Sequence, residues 1–252
     1  LDTSSLRWVI SEFVNGIPVT TNYTYGTNPV IASIGYGQTT LTAGAYHWNT
    51  FALSAEAVPI TNNTLWVAPT AAGAGDGSSP ANAAGYLNSS FWSGIQSLLQ
   101  VTNVTVNFAN GTYNAGTLNL NDMGNPLHRL ALQAANRFGA VFNPSSNPII
   151  GLTGSQNVGF DGFVFTGPTP YWGILCQPDY LKPCRDLGFS YCRFQDLTNA
   201  YYGAIGLLNG TRDVIVDNCT FTNLTDDNGN HQHMIYASHN IIGVKVSNSS
   251  FA

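Results

Sequence analysis

The feature that most constrains the fold is a self-similarity of about 28 residues running through the second half of the chain. Residues 213–221 (DVIVDNCTF) recur 30 residues later at 243–251 (GVKVSNSSF) and 27 residues earlier at 186–194 (DLGFSYCRF). Earlier copies stand at 157–165 (NVGFDGFVF), 129–137 (RLALQAANR) and 103–111 (NVTVNFANG). Each copy alternates two apolar residues with small or polar ones: Val104/Val106, Leu130/Leu132, Val158/Phe160, Leu187/Phe189, Val214/Val216 and Val244/Val246. A third apolar residue follows a turn, at Phe165, Phe194, Phe221 and Phe251. Between the copies lies a second apolar run, at 117–121, 148–152, 171–176, 202–207 and 233–237, in which Ile174, Ile205 and Ile235 align.

Alternation with a period of two makes strands, and several short strands per repeat make a coil that stacks on itself. Helical repeats of this length would need a 3.6-residue period, which is absent. The expected fold is all-β: a right-handed, single-stranded parallel β-helix of about five turns over residues 101–252, with an antiparallel sandwich as the competing architecture. Residues 86–100 form the one amphipathic helix pattern, with Phe91, Ile95, Leu98 and Leu99 on one face and Ser89 or Ser90 as N-cap. Placed before the first coil, such a helix would close the apolar end of the stack.

Composition supports a packed extracellular protein. Charged residues make up only 8% of the chain, hydrophobic ones 44%, and the net charge is −5. That excludes a disordered chain and argues against a nucleic-acid partner. No apolar run approaches the roughly 18 residues that span a bilayer. The chain begins at Leu1 without Met or signal peptide, so it reads as a processed, secreted form. Asn-x-Ser/Thr triplets are in modest excess over chance; Asn22, Asn62, Asn88, Asn103, Asn110, Asn209 and Asn223 are the candidate glycan acceptors. Asn218 and Asn248 align at a turn, where inward side chains would bond each other's backbone, so they are poorer acceptors.

The lead-in LWVAPTAAGAGDGSSPANAA (65–84), the helix, and then VTVNFANGTY (104–113) together resemble the pectate-lyase-like right-handed β-helix superfamily over about residues 65–252. The resemblance implies the fold and secretion. It does not imply one function, since this fold carries lyases, hydrolases, adhesins and fibre proteins. The chain divides into a small β-strand region at 1–64, a lead-in and capping helix at 65–100, and the coils at 101–252. The first region holds about four short strands, either immunoglobulin-like (41–54) or completed by strand exchange. The last copy ends at Phe251-Ala252, so either the natural chain continues, another subunit covers the final coil, or the open end is tolerated.

Cys192 and Cys219 occupy one position in consecutive coils, which lie about 4.8 Å apart, within disulfide reach. Cys176 and Cys184 flank the loop QPDYLKP. Two bridges are expected, against the alternative of buried thiols. For catalysis, Asp161 and Asp217 share an outward column two coils apart, hence about 9.6 Å. The densest polar cluster is Asp226, Asp227, His231, His233, Tyr236 and His239. Of these, His231, His233 and Tyr236 are candidate acid–base groups, and Asp226, Asp227, His231 and His233 candidate metal ligands. His233 aligns with Trp172 and Gly203 at a strand start that leans inward, which suits a structural histidine better. Lyases of the resembled superfamily use a Lys or Arg base, often with Asp-bound calcium. Here Lys245 is the single base on the outward positions, so no cofactor is expected, and calcium only if the chain is an enzyme. Two functions follow. One is a structural extracellular glycoprotein, a surface or filament subunit that self-associates. The other is a carbohydrate-active enzyme or glycan binder using aromatics such as Tyr171, Trp172, Tyr201 and Tyr202.

Overall fold

A computed structural model describes residues 7–14, 17–24, 63–168, 172–177, 182–198, 203–225 and 233–252. The chain forms two compact units, Leu1–Ile60 and Thr61–Ala252. In the first, β1 (Arg7–Val14) pairs antiparallel with β2 (Ile17–Thr24), Val14 opposite Ile17. The two residues between them are Asn15-Gly16, the pair that tight hairpin turns favour. The remaining strands expected before residue 63, and the immunoglobulin-like segment, lie outside the described residues.

The second unit opens with β3 (Asn63–Ala68), the short β4 (Ala84–Gly85) and helix α1 (Ser89–Leu98). Coils of three strands then follow one another. The first comprises β5 (Val104–Phe108), β6 (Gly111–Tyr113) and β7 (Leu118–Asn121), and the second β8 (Leu130–Ala134), β9 (Ala140–Phe142) and β10 (Ile150–Thr153). The third is β11 (Gln156–Asp161), β12 (Val164–Pro168) and β13 (Trp172–Cys176), and the fourth β14 (Arg185–Ser190), β15 (Arg193–Thr198) and β16 (Gly203–Leu208). The fifth is β17 (Arg212–Asp217), β18 (Thr220–Thr222) and β19 (Ile235–Ser238); β20 (Ile242–Ser247) and β21 (Ser250–Phe251) begin a sixth. Equivalent strands pair in parallel into sheets of eight, six and five strands. The unit is a parallel β-helix, and the sandwich alternative is excluded.

The register places the repeat where the sequence alignment does. Val216 lies opposite Val246, Val214 opposite Val244, and Ile205 between Ile174 and Ile235. The inward column Val106, Leu132, Phe160, Phe189, Val216 is 1% exposed or less, because strand alternation turns every second residue to the axis. A second column consists of aromatic rings. Tyr113 and Phe142 stack at 4.9 Å, Phe142 and Phe165 at 5.5 Å, Phe165 and Phe194 at 4.8 Å, and Phe194 and Phe221 at 4.9 Å. Phe251 adds a last ring 5.1 Å from Phe221. The motif alignment identifies this column only from Phe165 onward. Its first two members stand further from the inward column, Tyr113 seven residues after Val106 and Phe142 ten after Leu132, against five from Phe160 to Phe165, which shifts them out of alignment.

From coil three on, the link between the eight- and six-stranded sheets is two residues long. Its first residue sits in the left-handed region: Gly162 at φ 77°, Tyr191 at 50°, Asn218 at 52° and Asn248 at 49°. That twist turns the second residue, Phe163, Cys192 or Cys219, into the core. The expectation that Asn218 and Asn248 bond each other's backbone is not met. Both amides donate to the Asp217 carboxylate, at 2.7 and 2.9 Å.

Helix α1 is capped by Asn88, not by a serine. Its Oδ1 accepts from the backbone N–H groups of Ser90 and Phe91 at 3.0 and 3.2 Å. The Asn side chain one residue earlier, on an extended N-cap, reaches the N2 and N3 amides, which Ser89 and Ser90, already helical, cannot. Trp92, Ile95 and Leu99 join the core that contains Val104, Val106 and Phe108.

Candidate functional site

The outer face of the eight-stranded sheet carries the column Asn107, Gln133, Asp161, Ser190, Asp217, Ser247, in strict register. Asp161 and Asp217 are thus two coils apart with Ser190 between them. Besides the Asn218 and Asn248 amides, Asp217 accepts from the Ser247 hydroxyl at 2.8 Å. These bonds, Ser247 first, hold its carboxyl below the ordinary 3.8. A carboxylate stabilised in its charged form by three donors is a poor proton donor. Asp217 is a turn-fastening residue.

All four cysteines are free, buried thiols, so neither expected bridge is formed. Cys192 and Cys219 do lie side by side, because the left-handed link turns both inward. Their thiols are within hydrogen-bond reach of each other, and burial raises Cys192 while its hydrogen bond lowers Cys219. The sulfurs also meet backbone carbonyls, Cys192 that of Ser190 at 3.4 Å and Cys219 that of Phe189 at 3.4 Å. Burial pushes Cys176 up and Cys184 to about 11; Cys184 meets the Leu152 carbonyl at 3.6 Å.

The glycan acceptors occupy unlike places. Asn88 caps the helix. Asn103 accepts the Arg129 amide at 2.8 Å, and exposed Asn110 accepts from Asn136 at 3.2 Å. Asn209 starts a turn in which the buried Thr211 hydroxyl donates to the Leu208 carbonyl at 2.7 Å. The amide nitrogen of Asn223, the atom a glycan would use, donates to Asp196 at 2.8 Å. Asn22 lies on β2, and Asn62 falls outside the described residues.

The most developed constellation is on the outer face of the five-stranded sheet. There the column Asn119, Gly151, Leu175, Gly206, Tyr236 alternates with the inward Leu118, Ile150, Ile174, Ile205, Ile235 column. Trp172 lays its ring over Gly206: a Cβ on that glycine would come within 2.5 and 2.6 Å of two ring carbons. Glycine in a strand interior is here the floor against which an indole packs. Tyr236 meets Trp172 edge-on at 5.5 Å, and the exposed His233 flanks it at 5.3 Å. The indole is itself buried at 8% exposed, so Trp172 backs the site and Tyr236 and His233 present it. His233 is correspondingly an exposed residue, not the inward structural histidine expected. The chain bends at the strand start, where the Ala204 amide bonds the His233 carbonyl at 3.1 Å and leaves the imidazole outside.

His239 belongs to the following turn, with Nδ1 2.7 Å from the Ser238 hydroxyl. Asp226, Asp227, His231, Tyr171, Tyr201 and Tyr202 lie outside the described residues. Among the described residues no group of three His, Cys, Asp or Glu is placed to hold a metal ion. Gly206 is the member of the site that sequence reading missed. Its signal was present, since it aligns with Leu175 and Tyr236 as a glycine, like Gly151, in a column that otherwise carries side chains.

No known family model and no curated protein matches the sequence. Among solved structures the chain is similar to pectate lyase Pel9A, with a TM-score of 0.49 and 17% identity. That match covers 77% of this chain and 47% of the other, so the chain spans about half the length of the structure it resembles. A likeness at that level says nothing of site or activity. No helix among the described residues is long and apolar enough to cross a membrane. In fold, then, the unit Thr61–Ala252 is a parallel β-helix, as its three stacked parallel sheets show.

Proposed function

We propose that the chain is an extracellular glycan-binding β-helix, with the outer face of its five-stranded sheet as the binding surface. The observation that carries this reading is the aromatic group built on Gly206: a half-buried Tyr236 ring backed edge-on by Trp172 and flanked by His233. A rigid ring held on a strand offers an apolar face with a polar rim, which suits a pyranose, with one hydrophobic face and a belt of hydroxyls. Asn119, in the same outward column but four coils away at the other edge of the sheet, supplies amide donor and acceptor groups for a chain lying along the face. Candidate acceptors such as the exposed Asn110 suit a secreted glycoprotein, and N-linked glycans are part of the proposal. The test is retention on immobilised polysaccharides, comparing wild type with Tyr236→Ala, while product ends are assayed in the same incubation. Retention lost in the variant, with no depolymerisation, supports the reading; release of oligosaccharides replaces it with an enzyme.

A further inference from the structure

We infer that the ligand of this face is an uncharged polysaccharide, not a polyuronate or other anionic glycan; the inference rests on the glycan-binding reading above. The argument is the distribution of charge around the coil. The strands of the five-stranded sheet read LNLN, IGLT, WGILC, GAIGLL and IYAS, without one ionisable Lys, Arg, Asp or Glu. The arginines are placed elsewhere. Arg185 and Arg212 begin strands of the eight-stranded sheet, Arg129 immediately precedes another, and Arg193 begins a strand of the six-stranded sheet. Arg137 lies in the link between those two sheets, its guanidinium 3.7 Å over the Tyr191 ring, while Arg193 sits 3.7 Å over Phe138. Arg129 lies along the outer face of the eight-stranded sheet, where a Cβ on Gly159 would meet it at 2.3 Å.

Two cations remain. Lys245 is on β20 of the eight-stranded sheet, and Lys182, at the corner after the five-stranded sheet, is tied to Asp122 at 3.1 Å. In the sequence, residues 226–232, ahead of β19, include no Lys or Arg. A polymer with a carboxylate on each residue would therefore meet no counter-charge on this face. It would lose hydration of its anions without compensation, which is unfavourable at any affinity worth having. A neutral sugar loses only hydroxyl hydration, which side chains such as Asn119 and Thr153 and the rings of Tyr236 and His233 can replace.

Affinity electrophoresis through gels containing soluble xylan, galactomannan, galactan or mixed-linkage β-glucan, and through gels containing polygalacturonate with EDTA or with added calcium, decides the matter. The expected result is retardation by at least one neutral polymer and none by polygalacturonate in either condition. Tyr236→Ala should weaken the neutral interaction about tenfold, whereas Tyr236→Phe, which keeps the ring, should hold most of it. Circular dichroism of both variants establishes that they fold. Retardation by polygalacturonate that Tyr236→Ala abolishes overturns the uncharged ligand but leaves a glycan-binding face. Retention that is indifferent to Tyr236, or no retention by any polymer, overturns the binding reading and this inference with it.

Discussion

The column of stacked rings makes a quantitative prediction about what holds the coils together. Phe194 is fully buried, with Phe165 4.8 Å away at 16° on one side and Phe221 4.9 Å away at 3° on the other. Truncating it to alanine removes a buried ring and both stacks at once. Core Phe→Ala substitutions cost about 3–5 kcal/mol, within which the two ring contacts account for about 1–3. The same truncation at Phe251 removes a ring that is 49% exposed and has one stacked neighbour, at 5.1 Å. Half the burial and one contact come to about 1–2 kcal/mol. Phe194→Leu, keeping apolar volume but losing the stacks, should fall between. Equilibrium urea unfolding followed by far-ultraviolet circular dichroism and Trp fluorescence measures all three, with an unchanged slope showing that the same surface is exposed. If Phe194→Ala and Phe251→Ala agree within about 0.5 kcal/mol, the coils are not held by inward columns in the way argued here.

Other outcomes follow from single residues. Asp217 is held below the ordinary 3.8 by Ser247, Asn248 and Asn218, so its contribution is present above the unfolded value and is lost as pH falls through and below about 4. Asp217→Asn should flatten that acid limb of a stability–pH curve, and a limb unchanged in the variant refutes the assignment. Burial keeps Cys176 and Cys184 protonated and inaccessible, so iodoacetamide at pH 8 should modify neither in the folded protein and both after denaturation. Mass spectrometry reads this directly, and bridged cysteines would show as a mass lower by about two hydrogens per bridge. Asn88→Ala removes the acceptor of two helix amides and should cost about 1 kcal/mol by thermal or urea unfolding, with no effect on polysaccharide retention. Gly206→Ala puts a methyl group within 2.6 Å of the indole of Trp172, so the ring must move. A shifted Trp emission with weakened glycan retention is expected, and an unperturbed spectrum would show that the indole does not rest there.

The division between what was legible in the sequence and what was not follows from how far apart the interacting residues are. Strand alternation and the repeat are written locally, so Val216 could be matched to Val246 and Ile205 to Ile235 before any coordinates. Apolar residues must meet their equivalents one coil away, because no other arrangement buries both and satisfies the backbone. The third sheet was only half visible, since Tyr113 stands seven residues after Val106 and Phe142 ten after Leu132, against the constant five from Phe160 to Phe165, Phe189 to Phe194 and Val216 to Phe221. Helix position was readable but its cap was not, because Asn88 and its serine neighbours are all good N-caps and only the backbone decides which side chain reaches the free amides.

The site depended on tertiary structure almost entirely. Trp172, Gly206 and Tyr236 are separated by about 30 residues at each step, and nothing local says that the indole of one coil will lie over the glycine of the next and against the phenol of the one after. The same holds for the charges. The sequence shows how few there are, but their exclusion from one face of the coil emerges only when the strands are wound into three sheets. Periodicity determined the architecture, because backbone pairing and burial act alike on every repeat. Register and the bends at strand ends decided the surface, because there each coil differs from its neighbours.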